Sequence, residues 1–190
     1  MSPLSEKDER YEYIDGIKYN MSPSADYRHS DVNGNIYQQI VNKIGDSLCR
    51  VYMENMDLYT DEENAQENKE HVIPDIMIIC DRKLNYKKRY YGVPKFVAET
   101  LSPSTAKKDR TVKMEWYAKK GIEEYWIVDY RAKSLEIYYL KDGVYKNENT
   151  LILVDDEDDK LYNADIIIAL KTLPNITIKL ADIFKNIDDE

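Results

Sequence analysis

The sequence is poor in cysteine and in long apolar runs. Only two cysteines occur among its 190 residues, Cys49 and Cys80, without the paired spacing of a zinc site. We therefore expect both thiols to be reduced, with no disulfide and no zinc, as is usual in a cytosolic protein. No apolar run approaches the roughly 18 residues that cross a bilayer, and the start MSPLSEKDER lacks the apolar core of a signal peptide. These features predict a cytoplasmic protein without membrane contact.

Several classes of function find little support in what the sequence contains. It has no nucleophile elbow and no glycine-rich oxyanion loop, which disfavours acyl hydrolysis. Glycosidases pair two acids, but no aromatic sugar platform accompanies the acids described below. The net charge of −9 argues against a surface coated in basic residues for nucleic acid. A local basic groove within an acidic molecule remains compatible with that charge.

Length and composition predict one globular domain. The chain is 43% hydrophobic and 33% charged, and 190 residues suffice for a sizeable core. Neither an internal repeat nor a linker interrupts it, so we expect a single domain over residues 1–190, with flexible ends at 1–10 and 186–190. Basic residues concentrate at 82–89 and 107–110.

Turn residues and apolar periodicity predict the order of the elements. The first half is expected to contain a hairpin turning at Asp15-Gly16, a helix within 22–48, one or two strands within 50–60, a polar loop over 61–71 and a buried strand after Asp75. The second half is expected to begin with a strand over 95–101, a helix within 102–121 capped by Ser104 or Thr105, and a strand over 123–129. A hairpin turning at Asp142-Gly143 should follow. The chain should then end with short strands near 151–154, 165–170 and 176–179 and a short helix near 181. This order predicts an α/β fold of the mixed α+β kind, with a mixed central sheet flanked by helices, an N-terminal hairpin and added C-terminal strands.

Two acids stand in predicted strands that are otherwise apolar. In the stretch IPDIMIICD, Asp75 precedes four apolar residues, and Glu99 lies within FVAETL. A buried carboxylate costs desolvation free energy unless a cation or a hydrogen-bond donor compensates it, and backbone amides would suffice for Asp75 alone. If the two strands are neighbours, the carboxylates converge and repel each other. Mg²⁺ prefers such oxygen ligands, so the pair predicts a metal site.

The helix after Glu99 adds a candidate cation. Asp109, Lys113 and Tyr117 are spaced i, i+4, i+8 and therefore share one helical face. An ammonium near two carboxylates and a metal can hold a phosphate oxygen and favour deprotonation of an attacking water. The alternative is that Asp109 and Lys113 form an ordinary pair on the protein surface.

These residues resemble a known nuclease family. Pro74-Asp75 followed by Glu99 is similar to the PD-(D/E)XK nuclease superfamily, whose members have a restriction-endonuclease-like fold. The string ETLSPST, followed by D-x-x-x-K-x-x-x-Y and EYWIVD, more narrowly resembles a large bacterial family described as "putative restriction endonucleases". The similarity extends over residues 11–184.

The resemblance implies a set of site residues. Asp75 and Glu99 would bind Mg²⁺, with Mn²⁺ as a substitute and the backbone carbonyl of Thr100 as a third ligand. The lysine expected two residues after Glu99 is replaced by Leu101. Lys113, supplied by the following helix, is the natural replacement and the third catalytic candidate.

Four further residues belong to the implied site in auxiliary roles. Glu12 and Asp109 are possible additional acids, and His29 and Tyr117 are candidates for binding substrate. Two alternatives stay open. Glu12 could be an ordinary surface residue of the hairpin, and His29 could make a purely structural contact at the start of its helix.

The resemblance implies a Mg²⁺-dependent endonuclease that hydrolyses DNA phosphodiester bonds through a metal-activated water. A cut through both strands would suit a homodimer, because each active site handles one strand. The alternative is a catalytically inactive nuclease-fold domain that binds DNA or protein. The absent motif lysine and the acidic net charge favour this alternative.

Overall fold

The protein is described by a computed structural model that covers residues 10–21, 26–84 and 89–188. Its strands are β1 (Tyr11–Ile14), β2 (Ile17–Asn20), β3 (Arg50–Met53), β4 (Leu58–Tyr59), β5 (His71–Val72), β6 (Ile76–Ile79), β7 (Phe96–Thr100), β8 (Glu124–Asp129), β9 (Ser134–Lys141), β10 (Val144–Ile152), β11 (Ile167–Ala169) and β12 (Thr177–Lys179). Its helices are α1 (Tyr27–Ile44), α2 (Glu62–Glu67), α3 (Ala106–Lys108), α4 (Met114–Lys120) and α5 (Leu180–Ile183), and a π-helical turn (Asp109–Lys113) joins α3 to α4.

A six-stranded mixed sheet forms the centre of the fold. Its strand order is β10-β9-β8-β7-β6-β3, in which β7 and β8 run parallel and the other neighbours are antiparallel. A parallel pair needs a long crossover, which the helical segment between β7 and β8 provides. A four-stranded sheet of order β2-β1-β5-β4 and a pair formed by β11 and β12 complete the architecture. The mixed α+β fold class is confirmed.

The middle strands of the central sheet, β6, β7 and β8, are buried on both faces. In β6, Ile76 and Ile78 join one apolar cluster together with α1, α5, β11 and β12, whereas Met77 and Ile79 join a second cluster that contains Trp116 of α4. This alternation follows from the period of two in a strand. Each fully buried aliphatic side chain contributes about 1.5–3 kcal/mol to stability. The continuous apolar run after Asp75 is therefore explained by a strand covered on both sides.

The long helix and both tight hairpins were predicted correctly. In α1, Val32, Ile36 and Ile40 form a buried stripe at a spacing of four. The start of the predicted helix, at residues 22–25, lies outside the described ranges. The hairpin turns at Asp15-Gly16 and Asp142-Gly143 both have positive φ at their two central residues, the conformation that two-residue hairpins of this kind require.

The crossover helix differs in detail from its prediction. It begins at Ala106 and ends at Gly121, where a φ of 81° closes it, but a π-helical turn interrupts its middle. The Thr105 side chain does not cap it and instead accepts a hydrogen bond from the Ser102 backbone N–H at 3.2 Å.

Two further expectations about secondary structure are wrong. The polar loop predicted over 61–71 contains α2, because Asp61 caps its N-terminus by accepting a hydrogen bond from the Asn64 backbone N–H at 2.8 Å. The same segment ends in β5. The strand predicted near 151–154 is the end of β10.

The expectation of two reduced cysteines is also wrong. Cys49 and Cys80 form a disulfide. They directly precede β3 and follow β6, whose antiparallel register pairs Arg50 with Ile79, so the next step of that register brings the two cysteines opposite each other. A separation of 31 residues along the chain concealed this proximity.

None of the helices within the described ranges has the length and apolar character needed to cross a bilayer. Cytoplasmic localisation stays a prediction, as does the single domain over residues 1–190. The predicted flexible ends fall mostly outside the described ranges.

Candidate functional site

A cavity of about 1040 Å³ opens beside the N-terminal end of β6 and the C-terminal end of β7. The hairpin β1–β2, the start of α1, the crossover helix and the turn after β8 contribute its walls. The predicted acids and the predicted lysine all line this cavity: Glu12, Asp75, Glu99, Asp109 and Lys113. Residues that lie far apart along the chain thus line the same cavity.

Asp75 directly precedes β6 and Glu99 lies in β7, and these two strands are neighbours in the central sheet. The antiparallel register of β6 and β7 pairs Ile76 with Ala98. One step further along that register, Asp75 lies opposite Glu99. Directly opposed residues of an antiparallel pair point to the same face of the sheet. The two carboxylates therefore approach the cavity side by side.

Glu99 is held by two donors that reach a single oxygen. Its Oε1 lies 2.6 Å from the Lys113 Nζ and also accepts a hydrogen bond from the Tyr117 hydroxyl. The residue is only 2% exposed. Burial raises the pKa of Glu99 well above its ordinary value, the Lys113 ammonium opposes this, and the Asp75 and Asp109 carboxylates add to it. Because both donors use Oε1, Oε2 is the oxygen that remains for a cation.

Lys113 is a buried ammonium surrounded by acids. Its Nζ lies 3.0 Å from Glu12 Oε1, 3.9 Å from Asp109 Oδ1 and 3.4 Å from the Ile73 carbonyl oxygen. Burial alone would lower the pKa of Lys113, but the carboxylates, led by Glu12 and Glu99, raise it well above its ordinary value. The surface pair of Asp109 and Lys113 considered above is wrong, because both residues are buried.

Glu12 reaches the same cavity from β1. It is fully buried, accepts a hydrogen bond from the Ile73 backbone N–H at 2.9 Å and contacts the Lys108 ammonium. Burial would raise the pKa of Glu12, but Lys113 and Lys108 lower it to about 2. The alternative of a surface glutamate on the hairpin is therefore wrong.

Two hydrogen bonds fix the orientation of Asp75. The Thr100 backbone N–H donates to its Oδ2 at 2.8 Å, and the His29 Nε2 lies 3.1 Å from the same oxygen. Burial would raise the pKa of Asp75, but the hydrogen bond and charge of His29 lower it. The hydrogen bond from the Thr100 backbone N–H is the backbone contact that we expected to offset the desolvation of Asp75. Oδ1 is left as the oxygen available to a cation.

The contacts of Asn33 and Asp75 favour one tautomer of the neutral His29 ring. Its Nδ2 donates to the Glu54 carboxylate at 2.7 Å, and its Oδ1 accepts from the Thr100 hydroxyl at 2.6 Å. The same Nδ2 lies 3.2 Å from the His29 Nδ1. Since Nδ2 is a donor, Nδ1 accepts in the neutral ring and Nε2 carries the proton toward Asp75. His29 thus orients an acid of the site.

Asp109 carries a buried carboxylate oxygen that accepts no hydrogen bond from the described residues. This oxygen is Oδ1, which lies 3.9 Å from the Lys113 Nζ, and burial raises the pKa of Asp109 despite the nearby Lys113. Four acids and two ammonium groups share this end of the cavity, and a divalent cation would offset this excess of acidic groups. In the described ranges, no three His, Cys, Asp or Glu side chains form a ready-made metal cluster. Mg²⁺ needs only one or two carboxylates, because it retains several waters.

Two predicted residues lie where direct contact with an incoming ligand is restricted. Tyr117 is fully buried beneath Glu99, and Thr100 is 1% exposed, with its N–H and hydroxyl engaged as described above. The predicted metal contact of the Thr100 carbonyl stays a prediction.

Sequence reasoning missed three residues of the site: Asn33, Glu54 and Lys108. Asn33 follows His29 by four residues on α1, so helical spacing could have identified it. Lys108 belongs to the basic cluster at 107–110. Nothing in the sequence indicated its contact with Glu12 or the place of Glu54, because these depend on how distant elements pack.

A family model described as "Uma2: Putative restriction endonuclease" matches residues 2–180. The chain belongs to the Uma2 family. A crystal structure from Anabaena variabilis, described as that of a "putative nuclease", resembles the present fold with a TM-score of 0.68 over 95% of this chain and 93% of that chain. Its sequence identity of 17% limits the likeness to the fold. No curated protein sequence matches this Uma2 chain significantly.

Proposed function

We propose that the chain is a divalent-metal-dependent endonuclease that hydrolyses phosphodiester bonds of DNA. The observation that carries this proposal is the pair of opposed acids, Asp75 and Glu99, beside the Lys113 ammonium in one cavity. Membership of a family described as restriction endonucleases supports it, as does the mixed sheet.

The acids fit a hard divalent cation. Asp75 and Glu99 would hold Mg²⁺, or Mn²⁺ in its place, through the oxygens that their hydrogen bonds leave available, with the Thr100 carbonyl as the predicted third ligand. Bound there, the metal would lower the pKa of a coordinated water and polarise the phosphate.

The remaining residues would preorganise these acids. Lys113 and Tyr117 fix one oxygen of Glu99, and His29 with the Thr100 N–H fixes one oxygen of Asp75. Preorganised charges stabilise a transition state because they need not reorient during the reaction.

Plasmid nicking tests the assignment of the site. With Mg²⁺ or Mn²⁺, the wild type should convert supercoiled plasmid to nicked and linear forms, whereas Asp75→Asn and Glu99→Gln should lose at least about 100-fold in rate. Circular dichroism should confirm that both variants are folded. Equal cutting by the wild type and both variants would show that the acids are not the site.

A second candidate is a catalytically inactive nuclease-fold module that binds DNA or protein. It is favoured by Leu101 at the position of the motif lysine. It is also favoured by the contacts of Lys113, whose three N–H groups face Glu12, Glu99 and the Ile73 carbonyl. This candidate predicts no cleavage with any divalent ion. A homodimer, proposed for cutting both strands, is tested by sedimentation equilibrium.

A further inference from the structure

Charge is segregated by depth in the cavity. The floor carries buried acids, namely Glu12, Glu99 and Asp109. The mouth carries exposed basic residues, namely Arg10, Lys18, Lys107 and Arg131. Such an arrangement is unexpected in a chain with a net charge of −9, because random placement would put mostly acids at any opening.

The basic residues belong to two walls on opposite faces of the central sheet. The hairpin wall consists of Arg10, Lys18 and Lys107, on the side where Tyr19 and Ala106 pack against the apolar cluster that contains Trp116. The turn wall consists of Tyr130 and Arg131, which follow β8. Tyr130 packs into the apolar cluster on the α1 face. The opposed acids line the same cavity as both walls.

The turn wall contains an unsatisfied donor. Tyr130 is only 2% exposed, yet its hydroxyl has no hydrogen-bond partner among the residues that the structure describes. The guanidinium carbons of Arg28 and Arg131 lie 5.2 Å and 5.7 Å from the centre of its ring, which is the range of a cation–π contact. A buried hydroxyl without a partner costs free energy. An acceptor supplied by a ligand would remove that cost.

The acids near the mouth are already engaged. Asp26 forms an ion pair with Arg28 at 2.9 Å, and Glu54 accepts a hydrogen bond from Asn33. The Arg28 guanidinium therefore lowers the repulsion of an incoming anion by Asp26, whereas Glu54 keeps its charge.

We propose that the hairpin wall and the turn wall clamp the phosphate backbone of a nucleic-acid strand that crosses the cavity mouth. Lys18 and Lys107 would contact phosphates on one side of the reacting phosphate, and Arg131 with the Tyr130 hydroxyl would contact a phosphate on the other side. The position of the reacting phosphate rests on the proposed function, but binding by the clamp does not require cleavage. Arginine suits this task because its planar fork matches two phosphate oxygens.

Fluorescence anisotropy with a short labelled DNA, single-stranded and duplex, tests the clamp in EDTA, where cleavage cannot occur. For the wild type, log K should fall linearly with log salt. Lys18→Gln, Lys107→Gln and Arg131→Gln should each reduce the slope by about one, and the triple variant should bind at least about tenfold more weakly in low salt. Lys95→Gln is the matched control, since Lys95 is exposed and precedes β7, at the end remote from Glu99.

Tyr130→Phe provides a second readout. It should weaken binding several-fold without lowering the melting temperature, because the described part of the chain offers the hydroxyl no hydrogen-bond partner. Unchanged affinity and slope in the triple variant, or an equal effect of Lys95→Gln, would overturn the clamp, as would failure of the wild type to bind either DNA.

These outcomes are distinguishable from those of the nuclease test. Salt-dependent binding that is lost in the triple variant, without cleavage in any metal, would support the clamp and refute the nuclease. Cleavage with an unaffected triple variant would refute the clamp alone.

Discussion

An ammonium reaches Glu99 from the crossover helix and not from residue 101. Residues two apart on a strand point to the same face, so residue 101 points toward the side that Glu99 faces. Leu101 instead packs into the apolar cluster there. The crossover helix packs over the same face and supplies an ammonium to Glu99 at 2.6 Å. The charge therefore reaches the acid from a different element.

Removing the Lys113 ammonium should be severely destabilising. Lys113→Met leaves Glu12 and Glu99 buried without their shared cation, and breaking such a buried ion pair costs about 3–5 kcal/mol. Urea unfolding monitored by circular dichroism measures the loss. Lys119→Met is the matched control, because Lys119 is 63% exposed in its pair with Asp15 and should cost at most about 1 kcal/mol. Equal losses for the two variants would contradict the role of Lys113.

Glu12 should make the free energy of unfolding depend on pH in the acidic range. Its pKa falls from 4.5 to about 2 on folding, so the folded state binds this proton more weakly than the unfolded state. The stabilisation is therefore complete above pH about 4.5 and is lost as the pH falls toward 2. The difference in unfolding free energy between the wild type and Glu12→Gln, on the order of 3 kcal/mol at pH 7, should shrink across that window. Urea titrations at several pH values measure it, with the exposed Glu115→Gln as control. A difference that stays constant with pH would contradict the predicted role of Glu12.

Asn33 should control which nitrogen of His29 carries the proton. Asn33→Leu removes the donor to Nδ1, so the preference for the Nε2–H tautomer of the neutral ring should weaken. Nitrogen-15 NMR of the imidazole rings reports the tautomer directly. The chain has two histidines, and His71, whose Nε2 lies 3.0 Å from the Tyr11 carbonyl oxygen, is the internal control. An unchanged His29 spectrum would mean that Asn33 does not select the tautomer.

At the scale of elements, the local signals were sufficient for the hairpins, for α1 and for the three strands β6, β7 and β8. Turn pairs, helical periodicity and apolar runs depend on neighbouring residues only. The π-helical turn could not be foreseen, because the same residues also satisfy an unbroken helical pattern. The pairing of β1 with β5 joins Tyr13 to His71, and no local pattern reports such a distant contact.

In the candidate site too, local sequence patterns revealed some features, and contacts between distant elements determined the others. Asp75 and Glu99 were recognisable because an acid within an apolar strand is unusual. The burial of Glu12 was not, because its two lysine partners come from the crossover helix. Sequence therefore located the acids, while the packing of distant elements determined their partners.

The disulfide should stabilise the junction of β3 and β6. It closes a loop of 31 residues, for which chain entropy predicts about 3–4 kcal/mol. Urea unfolding with and without a phosphine reductant measures the effect. The double variant Cys49→Ser/Cys80→Ser should be less stable than the oxidised protein and insensitive to the reductant. Equal stability of the oxidised and reduced wild type would contradict the expectation.

At the scale of the whole molecule, metal binding should raise global stability, because an ion that binds only the folded state shifts the unfolding equilibrium. Mn²⁺ at 100 times its dissociation constant should add about 2.7 kcal/mol to the unfolding free energy of the wild type. Differential scanning calorimetry measures the rise in melting temperature. The rise should vanish in Glu99→Gln and persist in Lys95→Gln. Equal shifts in both variants would indicate binding elsewhere.

Three acids of the cavity lie on separate elements: Glu12 on β1, Glu99 on β7, and Asp75 immediately before β6. Until those elements dock, each carboxylate stays hydrated and none repels another. The carboxylates should therefore lose their water and begin to repel each other at the same stage, when the strands pair. The crossover helix, which carries Lys108 and Lys113, offsets both costs when it packs against the sheet. We therefore expect the cavity to assemble late in folding, so that its interactions affect the unfolding rate more than the folding rate.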